Sequence, residues 1–307
     1  MKNTTLALSC ALITMSTTLC MESEKPPIWQ QAGEYDENSQ RQLEISLLGL
    51  KEFSIKQNAH ILELGCGTGN LAAKLAHDNP GISIVATDIS PEMIQHAQNK
   101  HFSSAQISFA VQDAQHLPEE YTEEFNHVLC GHVIHWTKNH QAVLNGASRS
   151  LKPGGTLWMI GGRKVDHNNM LPIFTAFSAL KQKAPWQETF KSTTLQSIVG
   201  IYPGINADTL ESMLKNAGLK PIKLDTEFSP PALFKDKVAL KKFLTPLAKA
   251  FPQFLALTEK DREDFLEDLI KEYLTGDEYA KIKSDDEKNG VISYLTGKNI
   301  LLIAQKQ

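Results

Sequence analysis

Three glycines on alternate positions, Gly65, Gly67 and Gly69, stand between an apolar run and a helical pattern. The run from His60 to Leu64 is typical of a buried strand, and the apolar residues after the glycines recur at helical spacing, so the glycines occupy a strand-to-helix turn. Glycine permits a positive φ and carries no Cβ, and the start of a helix presents unpaired N–H groups. The turn therefore predicts a site where a ligand lies close to the main chain.

An acid two residues before the first glycine narrows the choice of ligand. A dinucleotide-binding turn reads G-x-G-x-x-G, whereas this chain reads G-x-G-x-G with Glu63 ahead of it. A carboxylate at that point suits an ammonium group and would repel a pyrophosphate. The pattern resembles motif I of the class I S-adenosylmethionine (SAM) methyltransferases, which usually read E/D-x-G-x-G-x-G. The alternative is a tight turn that serves only to pack a helix on a strand.

Two further acids stand where later strands are predicted to end. Asp88 closes the second strand, where a carboxylate can accept hydrogen bonds from both ribose hydroxyls of a nucleoside. Asp113 follows the third strand, and either accepts from the adenine amino group, as the resemblance implies, or only caps a loop. Met93 lies on the helix between them, where it either touches the adenine or is an ordinary core methionine.

Two more segments carry the family resemblance. Cys130 to Trp136 looks like the S-N-x-x-x-x-W stretch of the malonyl-carrier and trans-aconitate methyltransferases, with Cys130 and Gly131 in place of Ser and Asn. Leu151-Lys152-Pro153-Gly154-Gly155 is predicted to end a helix and to turn the chain into a fifth strand, Thr156 to Ile160. With these marks in the right order, the chain is identified as a member of the class I SAM methyltransferases, similar to the group that methylates carboxylates of trans-aconitate or of carrier-bound malonate.

The resemblance implies an α/β fold. Its Rossmann-like sheet has seven mostly parallel strands with the last one antiparallel, helices cover both faces, and a helical lid covers the substrate. The expected divisions are an N-terminal lid and helix (21–55), a SAM-binding core (56–165), a lid insertion (166–206) and C-terminal strands with a helical insertion (207–307). Periodicity predicts these outer elements: helices over Asn38 to Phe53, Met170 to Lys183, Asp208 to Ala217, Asp236 to Lys249 and Glu259 to Leu274, and strands over Leu219 to Phe228 and Asn299 to Gln305.

The resemblance also assigns residues to the site. It implies that SAM contacts the glycine turn, the strand-end acids and their neighbours: Glu63, Gly65, Cys66, Gly67, Gly69, Asp88, Ile89, Met93, Asp113, Ala114, Cys130 and Gly131. On the substrate side we expect Trp29, Tyr35, His135, Trp136 and Arg163. Trp29 and Tyr35 either form a lid over the ligand or close the core as interfacial aromatics. Arg163 either anchors a second carboxylate of the acceptor or is a surface loop charge.

Methyl transfer to a carboxylate asks little of a protein, because the ionised group is already a nucleophile near neutral pH. Alignment with the sulfonium supplies most of the rate, so we expect no required general base and a small-molecule or carrier-bound carboxylate as the partner. One alternative is transfer to a nitrogen, a carbon or a phenolic oxygen, with His135 as the base. Another is an exported or regulatory SAM-binding protein that acts on a protein partner.

Composition sets the outer bounds. The chain has 307 residues, 41% of them apolar, which is enough for a sizeable core. Lys and Arg total 31 against 35 Asp and Glu with no basic run, so nothing indicates a nucleic-acid partner. Cys10, Cys20, Cys66 and Cys130 form no CxxC pair, and we expect neither a metal nor a disulfide framework. Beyond the first residues, no run reaches the ~18 apolar residues that span a bilayer.

Residues 1–20 need a separate interpretation. Lys2 followed by the apolar run Leu6 to Met15 resembles a short secretory signal. Met21 offers a rival explanation, in which translation begins there and the upstream residues come from a mis-assigned start. Because SAM is a cytosolic metabolite, we expect a cytoplasmic protein, with secretion as the alternative if residues 1–20 are a true signal peptide.

Overall fold

The computed structural model describes residues 32–101, 103–162, 172–193, 204–230, 232–249, 252–282, 292–294 and 299–307. Within these ranges the strands are β1 (His60–Leu64), β2 (Ser83–Asp88), β3 (Ile107–Val111), β4 (Phe125–Gly131), β5 (Leu151–Gly162), β6 (Leu219–Phe228), β7 (Ala232–Phe234), β8 (Ile292–Tyr294) and β9 (Asn299–Lys306). The helices are α1 (Ala32–Asn38), α2 (Gln40–Leu50), α3 (Asn70–Asp78), α4 (Pro91–Lys100), α5 (His140–Ser150), α6 (Pro172–Leu180), α7 (Trp186–Phe190), α8 (Ala207–Asn216), α9 (Lys237–Ala248), α10 (Pro252–Leu255), α11 (Glu259–Thr275) and α12 (Asp277–Ile282).

Seven strands form one sheet in the order β3-β2-β1-β4-β5-β9-β6. Strands β1 to β5 pair in parallel. β9 lies between β5 and β6 and is antiparallel to both, so it inserts beside the sixth strand as expected and also pairs with the fifth. The predicted α/β fold is confirmed. Because the order reverses between β1 and β4, the carboxyl ends of these strands open a crevice where ligands bind in such sheets.

Helices bury both faces of this sheet. Successive strand residues alternate between the two faces, so Leu62 and Leu64 pack toward α5 and α8, while Ile61 packs toward α2 and α3. The strands lie between these two cores. This arrangement fixes the ends of β1, β2 and β4, and therefore the loops that follow them.

A further hydrophobic core lies outside the sheet. Helices α6 and α7 of the first insertion pack against α9, α11 and α12 of the second, together with Ile292 of β8. The apolar face predicted for α11 is buried along its whole length. Its residues are Phe265, Leu266, Leu269, Ile270 and Tyr273. We call this unit the helical core. Two segments that are distant in the sequence thus form one body, with the small β7-β8 sheet at its edge.

The N-terminal segment differs from the predicted single helix over Asn38 to Phe53. Two helices form instead, α1 and α2, with Ser39 between them. The Ser39 hydroxyl donates to the backbone carbonyl of Asp36 at 3.2 Å, a local bond that competes with helix continuation. Tyr35 therefore lies within α1 rather than ahead of a helix.

The segment from Leu151 to Gly155 also differs from the expected turn, because β5 already begins at Leu151. Leu151 pairs with Phe125, and Thr156 pairs with His127, so the residues between them form an irregular insertion in the ladder. Gly154 takes a positive φ of 72° there. The proline and glycines thus shape a bulge that the sequence pattern indicates only as a break.

No helix within the described ranges is long and apolar enough to cross a membrane.

Candidate active site

The glycine turn is fixed by its own backbone bonds to the end of β2. The N–H of Cys66 donates to the carbonyl of Thr87 at 2.8 Å, and the N–H of Gly67 donates to Oδ2 of Asp88 at 2.9 Å. Gly65 has a φ of 66°, and a Cβ there would lie 2.2 Å from Val133. A side chain at this position would clash, so the first glycine is required by the close approach of the loop after β4.

A cleft of about 670 Å³, partly open to solvent, lies at the carboxyl ends of β1, β2 and β4. We call it the outer cleft. Its lining comes from two parts of the chain: the end of β2 and the segments after β2 and β3 contribute Asp88, Ile89, Met93, Asp113 and Ala114, and the segment after β4 contributes His132, Val133, Trp136 and Thr137. The first set includes two carboxylates and the second includes none.

The two carboxylates of the outer cleft are held in place by backbone groups. Asp88 Oδ1 accepts from the Ser90 N–H at 2.9 Å while Oδ2 accepts from Gly67. Asp113 Oδ1 accepts from the Gln115 N–H at 2.9 Å, and its Oδ2 lies 2.9 Å from His116 Nδ1. Asp113 thus caps its loop and lines the cleft at once. Each oxygen keeps further lone pairs with which to accept a ligand hydroxyl or amine.

A second cleft of about 440 Å³ runs under α2, and we call it the inner cleft. Its walls come from α2, from the end of β1 and from the start of α3, and include Gln42, Leu43, Ser46, Glu63, Cys66, Asn70 and Gly131. The residues that line both clefts are Tyr35, Gly65, Gly67 and His132. The two clefts therefore meet at these shared walls.

Buried acceptor atoms without partners mark the inner cleft. Glu63 Oε2 and Gln42 Oε1 are shielded from solvent and have no hydrogen-bond partner within the described part of the chain. Burial and, to a smaller extent, the charge of Asp88 outweigh a backbone hydrogen bond from Ala72 and raise the pKa of Glu63 to about 8. Unpaired buried acceptors cost free energy. A ligand with an ammonium group, which has only donors, would satisfy both atoms.

The two histidines after β4 occupy different places. His132 lines both clefts, whereas His135 lines neither. Nδ1 of His135 accepts from the Gly162 N–H at 3.3 Å, and its ring packs 5.6 Å from that of Trp136. Burial and the neighbouring His132 and His140 lower the pKa of His135 to about 3. His135 therefore supports the loop from behind the cleft.

Tyr35 is positioned by an ion-pair cluster around its neighbour Asp36. Asp36 Oδ1 accepts from Thr68 Oγ1 and Asn70 Nδ2, each at 2.8 Å, and Lys100 Nζ lies 2.7 Å from both carboxylate oxygens. Burial raises the pKa of Asp36, but the hydrogen bonds from Lys100, Thr68 and Asn70 outweigh it and hold the pKa at about 2. We call this group the Asp36 latch. It fixes α1 on the glycine turn, where the Tyr35 ring lies over Gly67.

Most of the residues expected at the site lie on the two clefts. These are Tyr35, Glu63, Gly65, Cys66, Gly67, Asp88, Ile89, Met93, Asp113, Ala114, Gly131 and Trp136. Gly69, Cys130 and His135 lie behind them: Gly69 caps α3 at a φ of 79°, and Cys130 is buried in the sheet. Trp29 and Arg163 lie outside the described residues. Within those residues no group of three or more His, Cys, Asp and Glu is placed to hold a metal ion.

The sequence reasoning assigned no role to several cleft residues, among them Gln42, Ser46 and His132. Gln42 and Ser46 are four residues apart on α2, next to the apolar positions Leu43 and Leu47. Polar residues that continue an apolar helical face are a usable signal, because such a face turns toward the protein interior. His132 gave no signal beyond its position after a strand.

The donor and acceptor set fits SAM. Asp88 and Asp113 can accept from an adenosyl group in the outer cleft, and Glu63 and Gln42 can accept from the methionyl ammonium in the inner cleft. A model of the family described as "Methyltransferase domain" matches residues 55–218. This chain belongs to that methyltransferase family.

Individual relatives align with a shorter part of this chain than the family model does. A ubiquinone biosynthesis O-methyltransferase of Xanthomonas oryzae pv. oryzae is 32% identical over 102 residues, which are 33% of this chain and 42% of that protein. A malonyl-[acyl-carrier protein] O-methyltransferase of Acetivibrio thermocellus is 30% identical over 118 residues, 38% of this chain and 41% of that protein. The methyltransferase thus spans less than half the length of these curated relatives.

A solved structure extends the likeness over nearly the whole fold. Phosphoethanolamine N-methyltransferase 2 of Haemonchus contortus, solved with S-adenosyl-L-methionine, superposes with a TM-score of 0.52 at 16% identity. The match covers 91% of the methyltransferase and 57% of that chain. At this identity the likeness supports the fold alone.

Proposed function

We propose that this methyltransferase uses SAM to methylate an oxygen atom of a small or carrier-bound molecule. The observation that carries the proposal is the uncharged lining that the segment after β4 gives to the outer cleft, formed by His132, Val133, Trp136 and Thr137. An amine acceptor is an ammonium ion at neutral pH, and a carboxylate would be expected to hold it. The two carboxylates of this cleft, Asp88 and Asp113, belong to the end of β2 and the segment after β3, where the adenosyl group is proposed to bind.

SAM would occupy both clefts. Its adenosyl group fits the outer cleft beside Asp88 and Asp113, and its ammonium fits Glu63 and Gln42 in the inner cleft. The sulfur joins these two parts of the molecule, so the methyl group belongs where the clefts share their walls. There the protein contributes close packing and exclusion of water rather than charge.

A carboxylate is the first candidate acceptor, as the sequence resemblance predicts. It needs no base, and the malonyl-carrier relative supports it. Arg163 remains the candidate anchor for a second carboxylate. Within the described residues no lysine or arginine lines either cleft, so such an anchor would have to come from elsewhere in the chain.

A hydroxyl group is the second candidate acceptor, and two observations favour it. The Xanthomonas relative is named for a pathway O-methylation rather than for a carrier acid. Nε2 of His132, a residue that lines both clefts, has no hydrogen-bond partner within the described part of the chain. A hydroxyl can donate to this nitrogen, whereas a carboxylate cannot.

The acceptor class can be read from the stability of the transferred methyl group. The full chain is incubated with methyl-labelled SAM and, separately, trans-aconitate, a malonyl thioester, catechol and ethanolamine. Label released as methanol in mild base indicates a carboxyl ester, and base-stable label on catechol indicates an ether. Label on ethanolamine alone would contradict oxygen transfer. Asp88→Ala is the blank, because it removes the proposed ribose acceptor.

We place the reaction in the cytoplasm, where SAM is made, and expect no nucleic-acid partner. Export through residues 1–20 stays the alternative. Sequencing the N-terminus of the native protein tests this: a start at Met21 supports the cytoplasmic location, and a start created by cleavage outside the cell contradicts it.

A further inference from the structure

His132 combines three features that the fold alone does not require. It lines both clefts, so it lies at their meeting point. Its φ of 57° is in the left-handed region, which is uncommon for a residue other than glycine. Its Nε2 is shielded from solvent and has no hydrogen-bond partner within the described ranges. Strained backbone and an unpaired buried nitrogen both cost free energy, and such costs concentrate at functional sites.

The surroundings of His132 favour one tautomer. The Gln42 backbone raises the pKa of His132, the effect expected of a carbonyl that faces a ring N–H. Because Nε2 has no hydrogen-bond partner within the described ranges, a ring proton that faces this carbonyl belongs on Nδ1. In a neutral ring the other nitrogen then carries a lone pair. Burial, with the charge of Arg41, outweighs the effect of the Gln42 backbone and lowers the pKa to about 4, so the ring is neutral at pH 7.

We propose that Nε2 of His132 is the catalytic base that accepts the proton of a hydroxyl acceptor during methyl transfer. The inference rests on the proposed oxygen methylation and decides between its two candidate acceptors. The backbone holds the ring at the meeting point of the clefts, since the His132 N–H donates to the Ile160 carbonyl at 2.7 Å. The acceptor would be a small alcohol or phenol.

The step balances in atoms and charge. A lone pair of the acceptor oxygen forms the new O–CH₃ bond, and the electron pair of the S–CH₃ bond stays on sulfur, which becomes a neutral thioether. The O–H bond breaks and its proton passes to Nε2. One positive charge is lost at sulfur as one appears on the imidazole, so the buried site creates no net charge. The proton returns to water when the cleft opens.

His132→Asn is the informative variant, because asparagine tolerates a positive φ and lacks a ring base. Using the catechol assay, we expect methyl transfer to fall at least ~100-fold, the usual contribution of a positioned base. The dissociation constant for S-adenosylhomocysteine should change less than ~3-fold, because the cofactor contacts remain. His132→Gly should regain part of its rate with added imidazole. His77→Asn, at an exposed histidine remote from both clefts, is the matched control.

A measurement without turnover makes the test independent of the acceptor chosen. Ring ¹⁵N NMR of the full chain, saturated with S-adenosylhomocysteine and assigned against His132→Asn, should show protonated Nδ1 and bare Nε2 at pH 7. A proton on Nε2 would overturn the inference. So would base-labile label that survives in His132→Asn, and this result would leave oxygen methylation standing. Label on ethanolamine alone would overturn the proposed function as well.

Discussion

The sheet-end site and the helical core differ in what holds their side chains. At the site, Glu63, Gln42 and His132 have buried polar atoms with no hydrogen-bond partner among the residues that the structure describes, and Gly65 and His132 have positive φ angles. In the helical core, Phe265 is ringed by Phe177, Trp186, Phe190 and Phe254, with ring centroids 4.7 to 6.0 Å apart. The unpaired groups at the site lower the stability of the ligand-free fold and are available to a ligand, whereas the side chains of the helical core stabilise the fold through packing.

The largest loss of stability is expected for a substitution in the helical core. Phe265→Ala would remove the ring at the centre of that aromatic cluster, and we expect a loss of about 3–5 kcal/mol in the free energy of unfolding. The affinity for S-adenosylhomocysteine should stay within ~3-fold at temperatures where the variant is folded. Denaturant unfolding and calorimetry measure the two quantities. Phe228→Ala, a half-buried residue at the end of β6, is a milder control on the sheet side.

A parallel loss of cofactor affinity in Phe265→Ala would contradict this difference between the sheet-end site and the helical core. It would mean that the helical core shapes the clefts and does not merely pack beside them. Unchanged stability would contradict the assignment of the cluster as a core.

The sheet-end site was largely predictable because its chemistry follows from local rules. Glycines at a strand-to-helix turn and acids at strand ends occupy the carboxyl edge of any parallel sheet, so Glu63, Gly67 and Asp88 could be placed from the sequence. The strand Leu219–Phe228 and the apolar face of α11 were also predicted as observed. Periodicity suffices where an element buries one face.

The pairing of the two insertions was not predictable in the same way. The sequence patterns predict helices over Met170 to Lys183 and over Glu259 to Leu274. Neither pattern indicates that α6 packs on α11. Long-range pairing depends on shape complementarity between faces that are all apolar. The role proposed for His132 could not be assigned from the sequence for a related reason: only the folded loop shows which histidine lines the clefts and which lies behind them.

Substitution of Glu63 is expected to have an effect of intermediate size, and it tests whether the unpaired acceptor at the site serves a ligand. The raised pKa means that the folded, ligand-free protein keeps Glu63 protonated up to about pH 8, while the unfolded chain ionises near the ordinary glutamate pKa of 4.5. The stability contribution of the neutral form is therefore fully present below pH 4.5 and is lost as the pH rises toward 8. An ammonium ligand would reverse this preference and release the proton.

Glu63→Gln tests that linkage. At pH 7 we expect the native protein to release about one proton more than the variant on binding S-adenosylhomocysteine, read from titration enthalpies in buffers of different ionisation heat. The variant should bind more weakly by roughly tenfold, the loss of one charge-assisted hydrogen bond. Its ligand-free form should be no less stable at pH 8. Equal proton release by both proteins would remove Glu63 from the ammonium site.

The Asp36 latch lies between the two regions and carries the smallest effect. α1 is fixed to the glycine turn by Asp36, and the Arg41 guanidinium at the start of α2 donates to the Pro230 carbonyl at 2.9 Å, beside the helical core. Asp36→Asn keeps the shape of the side chain and removes its charge. Because the Lys100 partner is partly exposed, we expect a cost of only about 1 kcal/mol in cofactor binding, a ~5-fold weaker affinity.

This loss should appear mainly as faster release of S-adenosylhomocysteine, since a loosened α1 lets Tyr35 swing off Gly67 and the ligand leave. Stopped-flow displacement measures the rate, and Asp78→Asn, an exposed ion pair on α3, is the matched control. The depressed pKa of about 2 gives the sign of the pH dependence: the contribution of the latch is present above about pH 4 and is lost as the pH falls toward 2. Release rates equal to those of Asp78→Asn would show that α1 stays closed without the latch, held instead by its packing against α9 of the helical core.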